Sequence, residues 1–223
     1  MAMMMIKENN YKLNIALPKG RLGQRVYSLF EQAGYDCDDL KTGDPGRKLI
    51  FENNLLNINF FWVKPSDVHV YVERGAADIG AAGKDILDEY NPDVYELLDL
   101  KTGICKMAVA APEKFIEEPD KVLRVATEFP NIAAKYYAGL GRDIDIIKLK
   151  GSLEIAPIIG LADVIVDIVE TGTTLRENNL IIKDIIMDIS ARLIVNKSSF
   201  NFKFKRINEL INKLNFNIEK IKK

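Results

Sequence analysis

Histidine, cysteine and tryptophan are nearly missing from this sequence of 223 residues, which holds one His, two Cys and one Trp. His69, Cys37 and Cys105 lie far apart and show no metal-ligand spacing, so zinc chemistry is not expected. Two cysteines are also too few for a small disulfide-built scaffold, and the expectation is a pair of buried, reduced thiols. His69 and Trp62 read as packing or surface residues. No stretch approaches the roughly 18 uninterrupted apolar residues of a membrane span. The start, MAMMMIKENN, has too short an apolar run for a signal peptide and an acid where a transit peptide would avoid one, so a cytoplasmic address is expected. Charge of neither sign dominates: 31 Lys and Arg stand against 32 Asp and Glu, a formal net charge of -1. That balance gives no electrostatic case for binding nucleic acid or an anionic membrane, and any anion must be caught by a local site. The P-loop pattern G-x-x-x-x-G-K-[ST] and the dinucleotide pattern G-x-G-x-x-G are absent, which removes support for nucleoside triphosphatase and Rossmann readings.

What is present suits a globular protein of one or two domains, with 48% hydrophobic and 28% charged residues. Short β-rich runs alternate with helical patterns, as in an α/β protein with a largely parallel sheet. Residues 13–17 predict a first strand. Leu22, Val26, Leu29, Phe30 and Ala33 then recur at helical spacing up to a stop at Gly34. A strand pair follows at 49–51 and 55–61, then a helix beginning at Pro65, a strand at 77–82 and a helix at 85–90. After the run 94–100 a second series begins, with strands at 104–111, 122–126, 144–149 and 164–169 and helices at 130–140 and 152–159. Residues 180–189 and 192–195 predict further strands. A terminal helix at 200–214 carries Phe200, Phe204, Ile207, Ile211 and Leu214 on one face. This order predicts two lobes, the first of residues 1–103 plus 187–223 and the second of residues 104–186.

The stretch DIVETGTTL at 167–175 carries the clearest chemistry. The run before it, DVIVDIV at 163–169, is almost all β-branched, as a strand buried on both faces of a parallel sheet would be. Gly172 lets the backbone turn, so that the N–H groups and three hydroxyls of Thr171, Thr173 and Thr174 can converge on one anion. Asp167 and Glu170 beside that cradle would repel an anion unless they hold something else, such as sugar hydroxyls or Mg²⁺. A phosphorylated ribose satisfies both halves of the loop. A helix entry with solvated acids is the other reading of the same residues. Two basic clusters could serve phosphates: Lys19 and Arg21 directly after the first strand, and Arg47 with Lys48 after the turn at 43–46. Each can also be a solvated surface turn.

Four segments, ALPKGRL at 16–22, YVERGAADIG at 71–80 with GKD at 83–85, GSLEIAP at 151–157 and GLADVIVDIVETGTTLREN at 160–178, together resemble the ATP phosphoribosyltransferase family across nearly the whole chain. The resemblance implies an α/β fold with two lobes of the type II periplasmic-binding-protein-like architecture, and no C-terminal regulatory domain. It implies transfer of the 5-phosphoribosyl group from phosphoribosyl pyrophosphate to N1 of ATP, the first step of histidine biosynthesis. Also implied are a homodimer within a hetero-octamer, a histidyl-tRNA-synthetase-like regulatory subunit, and Mg²⁺ carried mainly on substrate phosphates without a firmly assigned protein site. Asp167 and Glu170 would hold the ribose hydroxyls, and Thr171, Gly172, Thr173 and Thr174 the 5'-phosphate. Lys19, Arg21, Arg47 and Lys48 would face the pyrophosphate and triphosphate, while Gly83, Lys84, Asp85, Ser152 and Glu154 are candidates for the ATP side. The chain departs from the family at Lys64, where Arg is usual, and at His69, where Pro is frequent.

Two rival classes stay in view. A type I phosphoribosyltransferase for another base also ends an apolar strand with acids and T-G-x-T, but its acids are typically adjacent, and here they are three apart. A two-lobe solute-binding protein would share the fold without catalysis.

Overall fold

The computed structural model describes residues 11–37, 40 and 48–221. The turn at 43–46 and Arg47 lie outside the described residues. The chain forms two compact units, one of Met1–Leu87, Asn91–Gly103 and Ser190–Lys223, the other of Asp88–Tyr90 and Ile104–Ile189.

In the first unit, β1 (Leu13–Pro18) leads into α1 (Arg21–Gln32), and β2 (Ile50–Asn53) into β3 (Ile58–Val63). A single 3-10 turn at Pro65–Asp67 precedes α2 (Val68–Glu73), β4 (Ile79–Gly83), α3 (Lys84–Tyr90), whose last three residues count with the other unit, and β5 (Val94–Asp99). The strands lie in the order β2-β3-β1-β4-β11-β5, with β11 (Ala191–Asn196) supplied by the tail. Neighbours β3, β1 and β4 pair parallel, whereas β2 pairs antiparallel to β3, and β11 pairs antiparallel to both β4 and β5. The sheet is therefore mixed rather than largely parallel, because β2 reaches β3 through a short turn and β11 enters from a distant part of the chain. That turn holds Asn57 at φ 51, which moves the start of the strand from 55 to Ile58 and leaves Leu55 exposed.

Apolar side chains alternate across this sheet. Leu13, Ile15, Leu17, Phe60, Ile79 and Leu193 face α1 and the tail helix, while Ala16, Ala82 and Ile194 face Val68 and Val72 of α2. The tail is two helices, α7 (Lys197–Phe202) and α8 (Phe204–Ile221), broken at Lys203. Its Nζ donates to both carboxylate oxygens of Asp78 at 2.8 Å and to Lys12 O at 2.7 Å. After this break the buried face of α8 is Ile207, Leu210, Leu214 and Ile218, and Phe204, expected on that face, is half exposed.

The second unit contains β6 (Cys105–Pro112), β7 (Leu123–Thr127), α4 (Pro130–Gly139), β8 (Ile144–Lys148), α5 (Ile155–Ile158), β9 (Val164–Val169), α6 (Thr173–Glu177) and β10 (Leu180–Ile189). Its sheet order is β10-β6-β9-β7-β8, with β8, β7 and β9 parallel and β6 and β10 antiparallel. Ala110, Ala126, Ile165, Leu153, Ala156, Leu175 and Leu180 form one core cluster here. The helix expected over 152–159 shortens to Ile155–Ile158, because Gly151 (φ 78) and Ser152 (φ 50) hold left-handed turns that cannot continue a helix. Strand β9 is fully buried only over its first three residues, so the last three, from Asp167 on, open toward the strand end. Cys37 is buried, but Cys105 is only half buried, at the start of β6. No helix among the described residues is long and apolar enough to cross a membrane.

Candidate active site

Ligands of open α/β sheets gather where parallel strands end, since the loops there carry free backbone donors. In the second unit, the parallel trio β8, β7 and β9 ends at Lys148, Thr127 and Val169. The loops that follow carry Ser152 and Glu154, Glu128, and the stretch 170–174 respectively. Gly172, at φ 70 and ψ 10, makes the turn into α6, a conformation that a side chain would strain. Thr171, Thr173 and Thr174 are exposed on this loop, and the hydroxyls of Thr171 and Thr173 lie 3.0 Å apart. Arg176, about one helical turn further on, donates from Nη1 to Thr171 O at 3.3 Å and from Nη2 to Thr173 Oγ1 at 3.2 Å.

Asp167 sits half buried on β9, ahead of the loop. Burial pushes its carboxyl up to about 6, against the 2.8 Å hydrogen bond that the Ile168 N–H donates to Oδ1, and the nearby carboxylates of Glu154 and Glu128 add to the rise. The structure thus gathers Asp167, Glu154 and Glu128 at one strand end. Glu154, expected on the ATP side, stands within electrostatic reach of the residue expected to hold ribose. Glu128 carried no sequence signal beyond being an acid immediately after a strand. Glu170 is exposed at the head of the loop. Such a strand end offers hydroxyl and N–H donors for an anion, with carboxylate acceptors beside them for hydroxyl groups.

In the first unit, β3, β1 and β4 end together. Pro18 pairs with Val63, and the Lys19 N–H donates to Val63 O at 2.7 Å, which sets Lys19 beside Lys64 at the two strand ends. Gly20, at φ 93, caps α1 ahead of Arg21. Helix α1 can lie close to β1 because Gly23 has no side chain, since a Cβ there would come 1.7 Å from Pro18 O and 2.2 Å from the Trp62 ring. Lys48 reaches the same sheet end, because β2 runs antiparallel to β3 and starts there. The Trp62 N–H donates to Leu49 O at 3.0 Å, and Lys48 Nζ lies 5.3 Å from the centre of the Phe51 ring. Lys19, Arg21, Lys48 and Lys64 therefore share one end of one sheet, and all four are exposed.

Gly83 and Lys84 stand at the end of β4, but Lys84 is paired with Glu96 at 2.9 Å. Asp85 is buried, and its carboxylate folds back to within 2.1 Å of where a Gly83 Cβ would be. Buried His69 has its pKa lowered by burial, as befits a neutral packing residue.

One sheet end thus carries a glycine-turned loop of exposed hydroxyls with carboxylates beside it, and a sheet end of the other unit carries exposed cations, residue types that suit a transferase acting on phosphorylated substrates. The family model HisG, ATP phosphoribosyltransferase, matches residues 64–216. An ATP phosphoribosyltransferase of Brachyspira hyodysenteriae is 56% identical over 210 residues, covering 94% of this chain and 99% of that one. One of Clostridium acetobutylicum is 49% identical over 214 residues, covering 96% and 99%. The structure of the ATP phosphoribosyl transferase (HisG:HisZ) complex from Thermotoga maritima contains a chain that is 38% identical and superposes with a TM-score of 0.80, covering 93% of this chain and 98% of that one. The chain belongs to the ATP phosphoribosyltransferase family, whose reaction joins ATP and phosphoribosyl pyrophosphate in the first step of histidine biosynthesis. A type I phosphoribosyltransferase and a solute-binding protein are set aside by the same matches.

Proposed function

We propose that the end of β9 is the phosphoribosyl half of the site. Thr171, Gly172, Thr173 and Thr174 hold the 5'-phosphate, and Asp167 with Glu170 accepts hydrogen bonds from the ribose hydroxyls. The observation that carries this reading is the half-buried Asp167 carboxyl beside Glu154 and Glu128, directly ahead of a glycine-turned loop of exposed hydroxyls. A carboxylate so placed gains most from neutral donors such as sugar hydroxyls, which offset the cost of its burial. Glu154 belongs with this half rather than with ATP. Lys19, Arg21, Arg47 and Lys48, joined by Lys64, serve the pyrophosphate and triphosphate. Gly83 and Ser152 remain candidates for the ATP side, and the ion pair of Lys84 and the burial of Asp85 favour structural duties for those two.

In the mechanism that follows, N1 of the adenine attacks C1' of the ribose as the bond to pyrophosphate breaks, through an oxocarbenium-like transition state. N1 brings its own lone pair, so no general base is needed. The protein's contribution is alignment, together with cations that meet the charge developing on the leaving group, effects worth several kcal/mol each. Mg²⁺, when bound, would neutralise the pyrophosphate. Among the described residues no group of three or more His, Cys, Asp or Glu is placed to hold a metal. A Mg²⁺ ion carried on substrate phosphates needs only one or two carboxylates, and Glu170 or Asp167 would meet it.

The Thermotoga maritima complex supports a HisZ-like regulatory partner for this chain, and the family resemblance makes that partner histidyl-tRNA-synthetase-like, with this chain as a homodimer within a hetero-octamer. A cytoplasmic setting fits both substrates. Incubation with ATP and phosphoribosyl pyrophosphate, with and without the regulatory subunit, is expected to release pyrophosphate and form phosphoribosyl-ATP. Pyrophosphate release that does not depend on ATP would overturn the proposal.

A further inference from the structure

Resting on the phosphoribosyl reading of the β9 loop, we propose that Arg176 is its positioning residue. Its guanidinium fixes the loop so that it presents an outward hydroxyl donor to a ligand. A guanidinium carries donors and no acceptor, and each threonine hydroxyl carries one proton and two lone pairs. Arg176 Nη2 fills one lone pair of Thr173 Oγ1 at 3.2 Å, and the Thr173 N–H, 3.4 Å away, faces a lone pair of Thr171 Oγ1. The two hydroxyl oxygens are 3.0 Å apart, so one of their two protons lies between them. Whichever oxygen gives that proton, the other then has both lone pairs filled and its own proton pointing outward. The chain Arg176, Thr173, Thr171 therefore leaves one free O–H donor, which suits a phosphate, and a single open hydroxyl lone pair where unbraced hydroxyls would have more.

The second bond acts on the backbone. Arg176 Nη1 holds Thr171 O at 3.3 Å, and in a trans peptide the N–H of the next residue points the opposite way. The Gly172 N–H is thus turned away from Arg176, to the opposite side of the peptide, where it can donate to an anion. A Cβ at Gly172 would make only ordinary contact with Nη1, at 3.5 Å, so glycine is required there for its φ of 70 rather than for room. Arg176 also adds a cation to a loop that follows Asp167 and Glu170, offsetting their repulsion of a dianionic phosphate. Lacking contact with the reacting atoms, Arg176 acts through the threonines.

The test uses the full chain with its regulatory partner, comparing wild type, Arg176→Ala, Arg176→Lys and Thr173→Val. The KM for phosphoribosyl pyrophosphate is expected to rise about tenfold in Arg176→Ala, the scale of one charge-assisted hydrogen bond, while kcat and the KM for ATP stay within about twofold. Arg176→Lys should recover part of the loss, because one ammonium cannot span both acceptors. It also serves as the reading variant should Arg176→Ala fail to fold. Arg176→Ala combined with Thr173→Val should cost less than the product of the two single effects, since both act through one chain of hydrogen bonds. An unchanged KM for phosphoribosyl pyrophosphate, equal shifts in both substrates, or fully multiplicative effects would overturn the assignment. Inorganic phosphate, titrated calorimetrically into wild type and Arg176→Ala, reads the loop without the reaction. Loss of phosphate affinity in the variant upholds the role of Arg176 even if the wild type makes no phosphoribosyl-ATP, whereas equal affinity in an active enzyme sinks the Arg176 inference alone.

Discussion

Asp167, in the role proposed for it, shows what a buried carboxyl costs the fold that carries it. Its carboxyl rises from 3.8 to about 6 through burial, so the folded chain favours the protonated form. The stability tied to that proton is complete below about pH 4 and is lost as the pH rises through about 6. With 1.36 kcal/mol per pKa unit, the ionised side chain costs roughly 2–3 kcal/mol above that range. Asp167→Asn should therefore raise the melting temperature at pH 8 and leave it nearly unchanged at pH 4. A variant that melts lower at pH 8 would show that the carboxylate supports the fold. Substrate affinity should move in the opposite sense. Ribose hydroxyls need the ionised acceptor, so the KM for phosphoribosyl pyrophosphate in the wild type should climb as the pH falls below about 6, while the KM for ATP does not follow. Gly23 is a second residue with a local cost. A methyl group there would collide with Pro18 O and the Trp62 ring. Gly23→Ala should destabilise by about 1–3 kcal/mol, read as a fall of several degrees in the melting temperature.

Between elements, the Lys203 and Asp78 pair decides how the tail meets the first sheet. The Asp78 side chain is 5% exposed and accepts from Asn14 N at 2.9 Å and Ser199 Oγ at 2.6 Å besides Lys203, tying β1, α7 and the start of α8 to one carboxylate. Lys203→Met leaves that carboxylate buried without its cation and should cost about 3–5 kcal/mol in chemical denaturation. Lys197→Ala, which removes a surface ion pair with Asp93, should leave the denaturation midpoint in place. The break at Lys203 could not be read from the sequence, because neither Pro nor Gly marks it and its cause is an ion pair to Asp78, 125 positions away. Strand direction was hidden for a similar reason. Alternation of apolar residues places side chains on faces but carries no record of which neighbour a strand pairs with, so the mixed sheets emerged only in three dimensions. Strand β1, helix α1 with its stop at Gly34 and the strand ahead of the threonine loop were legible, since each is specified by local pattern and local turn chemistry.

For the whole molecule, the family was legible because its signals are spread from Ala16 to Asn178 and do not depend on any one loop. The proposed site was legible in part. The threonine loop and its two acids declared themselves through a glycine turn after an apolar strand. Glu128 and Glu154 became neighbours of Asp167 only when parallel strands β7, β8 and β9 brought separate loops to one end. Arg176 lay within the motif, five positions after Thr171 and three after Thr173, a spacing that lets one side chain reach back over a turn. Lys64 gained meaning once β1 and β3 were seen to end side by side. On the polyphosphate side, Lys19→Ala should lower kcat more than it raises the KM for ATP, since its charge counts most as pyrophosphate departs. Equal kcat in wild type and variant would remove Lys19 from the chemistry.

The central claim, that the end of β9 binds the phosphoribosyl group, is tested most directly by calorimetric titration of phosphoribosyl pyrophosphate into the wild type and Asp167→Asn at pH 8. Binding to the wild type and affinity at least about tenfold weaker in the variant, the scale of a lost charge-assisted hydrogen bond, is the expected result, with ATP affinity unchanged. Equal affinity of the two proteins for phosphoribosyl pyrophosphate would contradict it.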